Sequence, residues 1–402
     1  MFATNTGYTY VEPQERYPAP RLAIGYSASV AATTRFMSKW LLALLLGVYA
    51  LAAFLPAGAV WGTEIDFGEF HLLGESSRIS LSMVFLAVLL FNAGLDIPLG
   101  QLRNLGKKPV MLLAGLAANL VVPVAYICGV SYLLKGHPDV TAVQSLIVGL
   151  ALIASMPIAG SSAAWAQNAK GNMALTLGLI LCSTVLSPLT TPALLHSVGW
   201  LASGDFSAGL DGLANSGMSV FLTLFVLVPA VLGLAVRRLA GDGRIARVMP
   251  TVKLMNSILL LLLTYTNASA SLPGMVARPD WNLLGMALAA SLGMCMLAFT
   301  VGWILANALR ADEGQRTALM FGLGLNISSP GLVLAAVALA HMPGVMLPAL
   351  LYTLVQHVVA GIVTVANRRR AEAGRTPPPA PVSGMIPLVR LSAAVRPSAL
   401  AS

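Results

Sequence analysis

The sequence predicts an all-α polytopic membrane protein: ten transmembrane helices forming two inverted five-helix repeats, with the fourth and ninth helices broken. Three observations carry this expectation. Of the 402 residues, 57% are hydrophobic and only 10% are charged, whereas soluble domains carry roughly 25% charged residues. The apolar residues gather into ten runs of about the 20-residue length that a helix needs to cross the hydrocarbon core. The fourth run of each five carries a polar break in its middle.

The first five runs lie near 40–60, 79–97, 109–134, 141–168 and 172–195; the second five lie near 216–236, 250–270, 282–308, 315–340 and 344–366. Residues 1–36 are polar and proline-bearing and read as a flexible cytoplasmic segment, with no cleavable signal peptide apparent. Residues 37–200 and 215–367 are the two repeats, and 368–402, which include RTPPPAPVSG, read as a disordered cytoplasmic tail. Ten spans leave both termini on one side of the membrane. All 24 Lys and Arg residues except Arg78, Lys135 and Arg278 then fall on that side. The positive-inside rule places both termini in the cytoplasm and the protein in the inner or plasma membrane. The net charge of +9 is therefore a topology signal, and no nucleic-acid partner is expected. Five is odd, so the second copy of a five-helix unit enters the bilayer inverted, a construction shared by many secondary transporters. Each half also places an asparagine in an early span, Asn92 and Asn256.

The breaks are MPIAGSSA at 156–163 and GLNISSPGL at 324–332. Pro157 has no N–H for the carbonyl of Ile153, and Pro330 none for that of Asn326. Backbone groups freed at that depth cost several kcal/mol unless protein, water or an ion satisfies them. One such break suits a quietly packed proline kink better than a site; two at matching places in inverted halves point to a binding site at the membrane midplane. Half-helix N-termini offer N–H groups to anions, and C-termini offer carbonyls to cations. Ser161, Ser162, Asn168, Asn326, Ser328 and Ser329 add oxygens there, and Asn119 in the third helix and Thr176 in the fifth reach the same region. Gln356 and His357 stand side by side in the tenth helix; His357 reads either as a substrate contact or as a hydrogen-bonded packing residue. Trp165 reads as packing, and Lys170 as a side chain snorkelling to the interface.

Other chemistries are disfavoured. None of the fifteen acidic residues lies mid-span, and only Asp96 comes close. Proton relays in membranes are built on buried carboxylates, so a carboxylate-based pump is not expected. Cys128, Cys182 and Cys295 lie inside apolar runs and the five histidines are scattered. Neither a disulfide frame nor a clustered Cys/His metal site is indicated, and no organic cofactor is expected.

FNAGLDIPLGQLR at 91–103, MPIAGSSAAWAQNAKGNMALTLGLILCSTVLSPLTTPALL at 156–195 and GLGLNISSPGLVLAAVALAHMPGVMLPALLYTLVQH at 322–357 together resemble the bile acid:sodium symporter family. The resemblance covers residues 37–366, and the KGN…SPLTTP block is its most specific part. It implies transport of an organic anion with sodium, the anion being bile-acid-like, a sterol conjugate or a small carboxylate. It also implies a core of helices three to five and eight to ten in which the broken fourth and ninth cross. A panel of helices one, two, six and seven would flank this core, with substrate between the two and access alternating as the core moves. Carried over residue by residue, the sodium ligands become Asn119, Ser162, Thr176 and Asn326, while Ala163, Ile180 and Gly322 stand where further ligands, including a glutamate at the last, are expected. Either sodium is held by backbone carbonyls with the four remaining side chains, or transport is uncoupled. Ser161, Ser328, Ser329, Gln356 and His357 are the expected substrate contacts. Two readings from other classes stand beside this one. The first is an intramembrane serine hydrolase using Ser161 or Ser162 with His357 as base; the second is a non-transporting sensor on the same fold. The oligomeric state is open.

Overall fold

The computed structural model describes residues 26–55, 66–72, 75–97, 100, 109–215, 218–277, 279–339 and 342–373. Six of its helices are long and apolar enough to cross a bilayer. They are α3 (Pro109–Leu133), α6 (Met173–Gly199), α8 (Met218–Ala240), α9 (Asp242–Ala277), α10 (Trp281–Ala308) and α13 (Met346–Ala373). Around them lie α1 (Tyr26–Phe54), α2 (Leu81–Asp96), α4 (Val140–Ala154), α5 (Ser161–Asn168), α7 (Asp205–Asn215), α11 (Glu313–Gly324) and α12 (Ser328–Ala338). The polar residues at span ends act as caps that accept orphan N–H groups of the first turn. Asp139 caps α4, Asn172 caps α6, Asp280 caps α10, and Asp312 caps α11 in a capping box with Gln315.

Three features depart from the expected layout. Helix α1 begins at Tyr26, inside the segment expected to be flexible, and α13 runs to Ala373, past the expected boundary at 367. Residues 1–25 and 374–402, the rest of the expected flexible lead and tail, lie outside the described residues. The helices bear out the all-α class, and beside them the described residues hold one antiparallel hairpin, β1 (Asp66–Leu72) with β2 (Glu75–Ser80), in which Phe70 faces Ser77 and a register shift falls between Asp66 and Glu69. It joins α1 to α2 outside the apolar spans, so it needs no apolar run.

The helices pack in two groups. In the first, α1 packs on α9, and α2 packs on α8 and α9. Gly94 and Gly233 let α2 and α8 touch backbone to backbone: a Cβ on Gly94 would strike the Ala230 carbonyl, and one on Gly233 the Phe91 carbonyl. Small residues at such crossings let membrane helices approach closely. The two asparagines that mark the halves meet here, with Asn92 Nδ2 donating to Asn256 Oδ1 at 2.8 Å. In the second group α10 packs on α3, α11 and α13, α3 on α4 and α6, and α4 on α13. Two buried apolar clusters fill the protein; the smaller joins α3, α6, α10 and α11 around Leu179 and Leu319.

Candidate functional site

The breaks lie where expected and are short. The first is residues 155–160, between α4 and α5; the second is 325–327, between α11 and α12. Pro157 sits in the gap, whereas Pro330 is the third residue of α12. In a first turn the missing N–H has no intrahelical partner to lose, so this proline fits the start of a half-helix rather than kinking a continuous one.

The two breaks cross and pair through their backbones. Ile158 and Asn326 form an antiparallel bridge in which Ala159 N donates to Leu325 O at 2.9 Å and Ile327 N to Pro157 O at 3.0 Å. Side chains meet the remaining groups. Ile158 N donates to Ser183 Oγ at 3.1 Å, whose hydroxyl donates onward to Ile180 O. Thr191 Oγ1 donates to Ser155 O at 2.6 Å, and Asn326 N donates to Gln356 Oε1 at 3.1 Å. Unwound backbone is thus held in the protein interior by protein groups, the condition under which membranes tolerate it.

Four of the predicted oxygens, three at this crossing and one on α3, are left over. Asn119 Oδ1, Ser162 Oγ, Asn326 Oδ1 and Ser328 Oγ are buried and have no hydrogen-bond partner. Buried polar atoms are nearly always paired, so these four orphans call for an account, and a bound ion or water is among the usual ones. Ser162 follows the first break and Ser328 the second, while Asn119 lies one turn beyond Gly115, which abuts Leu179 and Leu319 in the seam shared by α3, α6 and α11. Pro123, four residues on, has no N–H for the Asn119 carbonyl. Thr176 is fully buried and donates to Asn172 O at 3.0 Å, which leaves its lone pairs free. Neutral side-chain and carbonyl oxygens of this kind are hard donors suited to a hard cation.

At the positions where further ligands were expected the seam is apolar. A Cβ on Gly322 would lie 2.8 Å from Leu179 Cδ1, so the leucine fills that space, and Ile180 is buried beside it. Among the expected substrate contacts, Ser161 is exposed, Ser329 is half-buried, and Ser328 and Gln356 are buried. His357 is half-buried, and its Nδ1 lies 2.6 Å from Thr353 O, an acceptor that calls for the proton on Nδ1. No Ser162–His357 hydrogen bond forms, since Ser162 Oγ has no partner. Trp165 stacks on Phe321 at 6.5 Å, and Phe321 meets Phe299 edge-on at 5.6 Å, the packing role expected for the tryptophan. Ser183 and Thr191 were not singled out from the sequence; the spacing of Ser183, Thr184, Ser187 and Thr191 along one face of α6, all buried, is the signal that finds them.

Comparison with known proteins gives the same reading. Residues 83–278 match the family model of the Sodium Bile acid symporter family. The chain is similar to the uncharacterized protein YbaS of Bacillus subtilis (strain 168), at 26% identity over 278 residues, 69% of this chain and 85% of that one. It is similar to the uncharacterized sodium-dependent transporter YocS of the same organism, at 24% identity over 265 residues, 64% of this chain and 73% of the relative. Six bilayer-length helices mark an integral membrane protein, and the match over α2 to α9 makes it similar to the sodium bile acid symporter family.

Proposed function

We propose that this protein is a secondary transporter that carries an organic anion across the inner or plasma membrane by alternating access, with sodium as co-substrate. The observation that carries the reading is the set of buried, unpartnered oxygens on Ser162, Asn326 and Ser328 at two backbone-paired helix breaks, with a fourth on Asn119 of α3. Asn119, Ser162, Thr176 and Asn326 form the neutral oxygen set to which sodium is assigned. Helices α4 and α11 end at the crossing with carbonyls, and α5 and α12 begin there without a side-chain cap. The crossing therefore offers a cation one kind of helix end and an anion the other. Ser161, Ser328, Ser329, Gln356 and His357 are assigned to the anion. Gln356 already accepts from Asn326 N, which leaves its amide hydrogens for a carboxylate or sulfonate.

The two repeats are related by inversion, and the two packing groups are the parts that move against each other. With both termini cytoplasmic, two hydrogen bonds that join the groups among the described residues lie on the far side: Tyr49 donates to Leu350 O at 3.1 Å, and Ser219 donates to the Pro188 carbonyl that Pro192 leaves free, at 2.8 Å. On the cytoplasmic side Ser161 and Gln167 of α5 are exposed. This supports an inward-facing arrangement.

The test is a stabilisation screen of the purified protein against taurocholate, pantoate and pyruvate, in sodium chloride and in choline chloride, followed by uptake of radiolabelled hits into proteoliposomes. Binding raises apparent stability. A hit that stabilises and accumulates is expected. Stabilisation without accumulation would point to a sensor, and no response to any anion would refute the reading.

A further inference from the structure

Both cargoes of this transport are charged at the middle of the bilayer, yet the helices around the breaks hold no full charge to meet either one. The acidic residues of these elements, Asp139, Asp312 and Glu313, stand at helix starts, and two of them are spent on capping. On α11 the charged residues are Glu313 and Arg316, both in the first turn, and α3, α4, α5 and α12 carry none. The oxygens left for a cation are neutral, and Leu179 fills the space at Gly322 where a carboxylate would enter. Half-helix ends contribute only about half a charge each. A sodium ion alone on such a site keeps its charge in a poorly polarisable interior, and so does an anion alone; both states are costly. Bound together, each is the other's counterion.

We infer that the anion itself supplies the charge missing from the sodium site, so that the two bind as a neutral pair, one sodium per monovalent anion, and cross without net charge movement. This rests on the anion and sodium reading above. Opposite unit charges about 8 Å apart at an effective dielectric of about 20 attract enough for a roughly 30-fold mutual gain in affinity. The gain is reciprocal, because linkage requires each ligand to raise the other's affinity by the same factor.

Three measurements decide this. Binding of ²²Na⁺ to the purified wild-type protein by scintillation proximity is expected to be weak alone. It should tighten about 30-fold in whichever of taurocholate, pantoate or pyruvate stabilises the protein. Tight saturable binding without an anion, or no tightening with a stabilising one, overturns the inference. The double variant Leu179→Ala/Gly322→Glu supplies both the carboxylate and its room. It is expected to bind ²²Na⁺ about 30-fold more tightly than wild type with no anion present, and Leu179→Ala/Gly322→Gln is not. A folded glutamate variant that binds no better than the glutamine variant overturns the inference; if it fails to fold, the wild-type isotherms decide. Third, uptake of the same monovalent anion into sodium-loaded gradients should be unchanged by a potassium diffusion potential set with valinomycin. A several-fold response to the potential excludes the one-to-one pair. If none of the three anions stabilises or accumulates, the transport reading fails on its own terms, while the wild-type and glutamate ²²Na⁺ isotherms still report on the charge of the site.

Discussion

Replacing Gly233 by alanine tests the contact between α2 and α8. The added Cβ would lie against the Phe91 carbonyl oxygen, 2.9 Å from Phe91 C and 3.0 Å from Leu95 N. Carbon and oxygen in ordinary contact sit about 3.3–3.6 Å apart, so the helices must separate by about 1 Å at this point. One turn further along α8, Arg237 Nη1 donates to Leu95 O at 2.6 Å while the same guanidinium pairs with Asp242 at 2.8 Å. A 1 Å retreat carries the Leu95 bond beyond good geometry, and a hydrogen bond to a charged group is worth about 1.5–3 kcal/mol. Overpacking adds about 1–3 kcal/mol, which sets the expected loss at about 2.5–6 kcal/mol. The assay is denaturation of the purified protein in detergent followed by far-ultraviolet circular dichroism, with Gly129→Ala as the reference. A Cβ at Gly129 meets nothing within 4 Å, so that variant should be neutral or gain up to about 1 kcal/mol from helix propensity. Equal behaviour of the two variants would refute the close crossing, as would a Gly233→Ala protein as stable as wild type.

Further outcomes follow from the same structure. Gln356→Leu leaves the Asn326 N–H without its acceptor, a cost of about 1–3 kcal/mol expected to speed amide exchange around 325–327 by about 10- to 100-fold; unchanged protection refutes the contact. A double-mutant cycle of Asn92→Ala and Asn256→Ala should show coupling of about 0.6–2 kcal/mol, and strictly additive losses would deny the pair. Lys170 adopts a left-handed backbone with φ of 58°, so Lys170→Gly should stabilise by up to about 1 kcal/mol; destabilisation would show that the side chain holds more than the turn. In a background with Cys128, Cys182 and Cys295 changed to alanine, a membrane-impermeant maleimide should label Lys135→Cys in intact cells and Arg238→Cys only after permeabilisation. The opposite pattern inverts the proposed topology.

Much of the architecture was legible because lipid constrains sequence more than water does. The third and eighth spans, expected at 109–134 and 282–308, are Pro109–Leu133 and Trp281–Ala308. What was missed lies outside the apolar runs: the hairpin at 66–80, the start of α1 at Tyr26, and the helix Asp205–Asn215. Polar residues inside apolar runs flagged the crossing, and Asn119, Ser162, Asn326 and Ser328 carry its unpartnered oxygens. Which hydroxyls hold the breaks together was not legible. A serine or threonine on a helix can bond its own preceding turn, as Thr184 and Ser187 do, or reach another element, as Ser183 and Thr191 do.

By itself the sequence determined the solvent of this protein, the position of its six bilayer-length spans and the two places where a helix cannot run on. Those properties depend on composition and on proline chemistry along a short stretch of chain. Only the tertiary structure decided that the breaks pair with each other, that Gln356 closes the second of them, and that Leu179 occupies the space beside Gly322. Each of those joins residues far apart in the chain, and their meeting is set by how helices pack rather than by local preference.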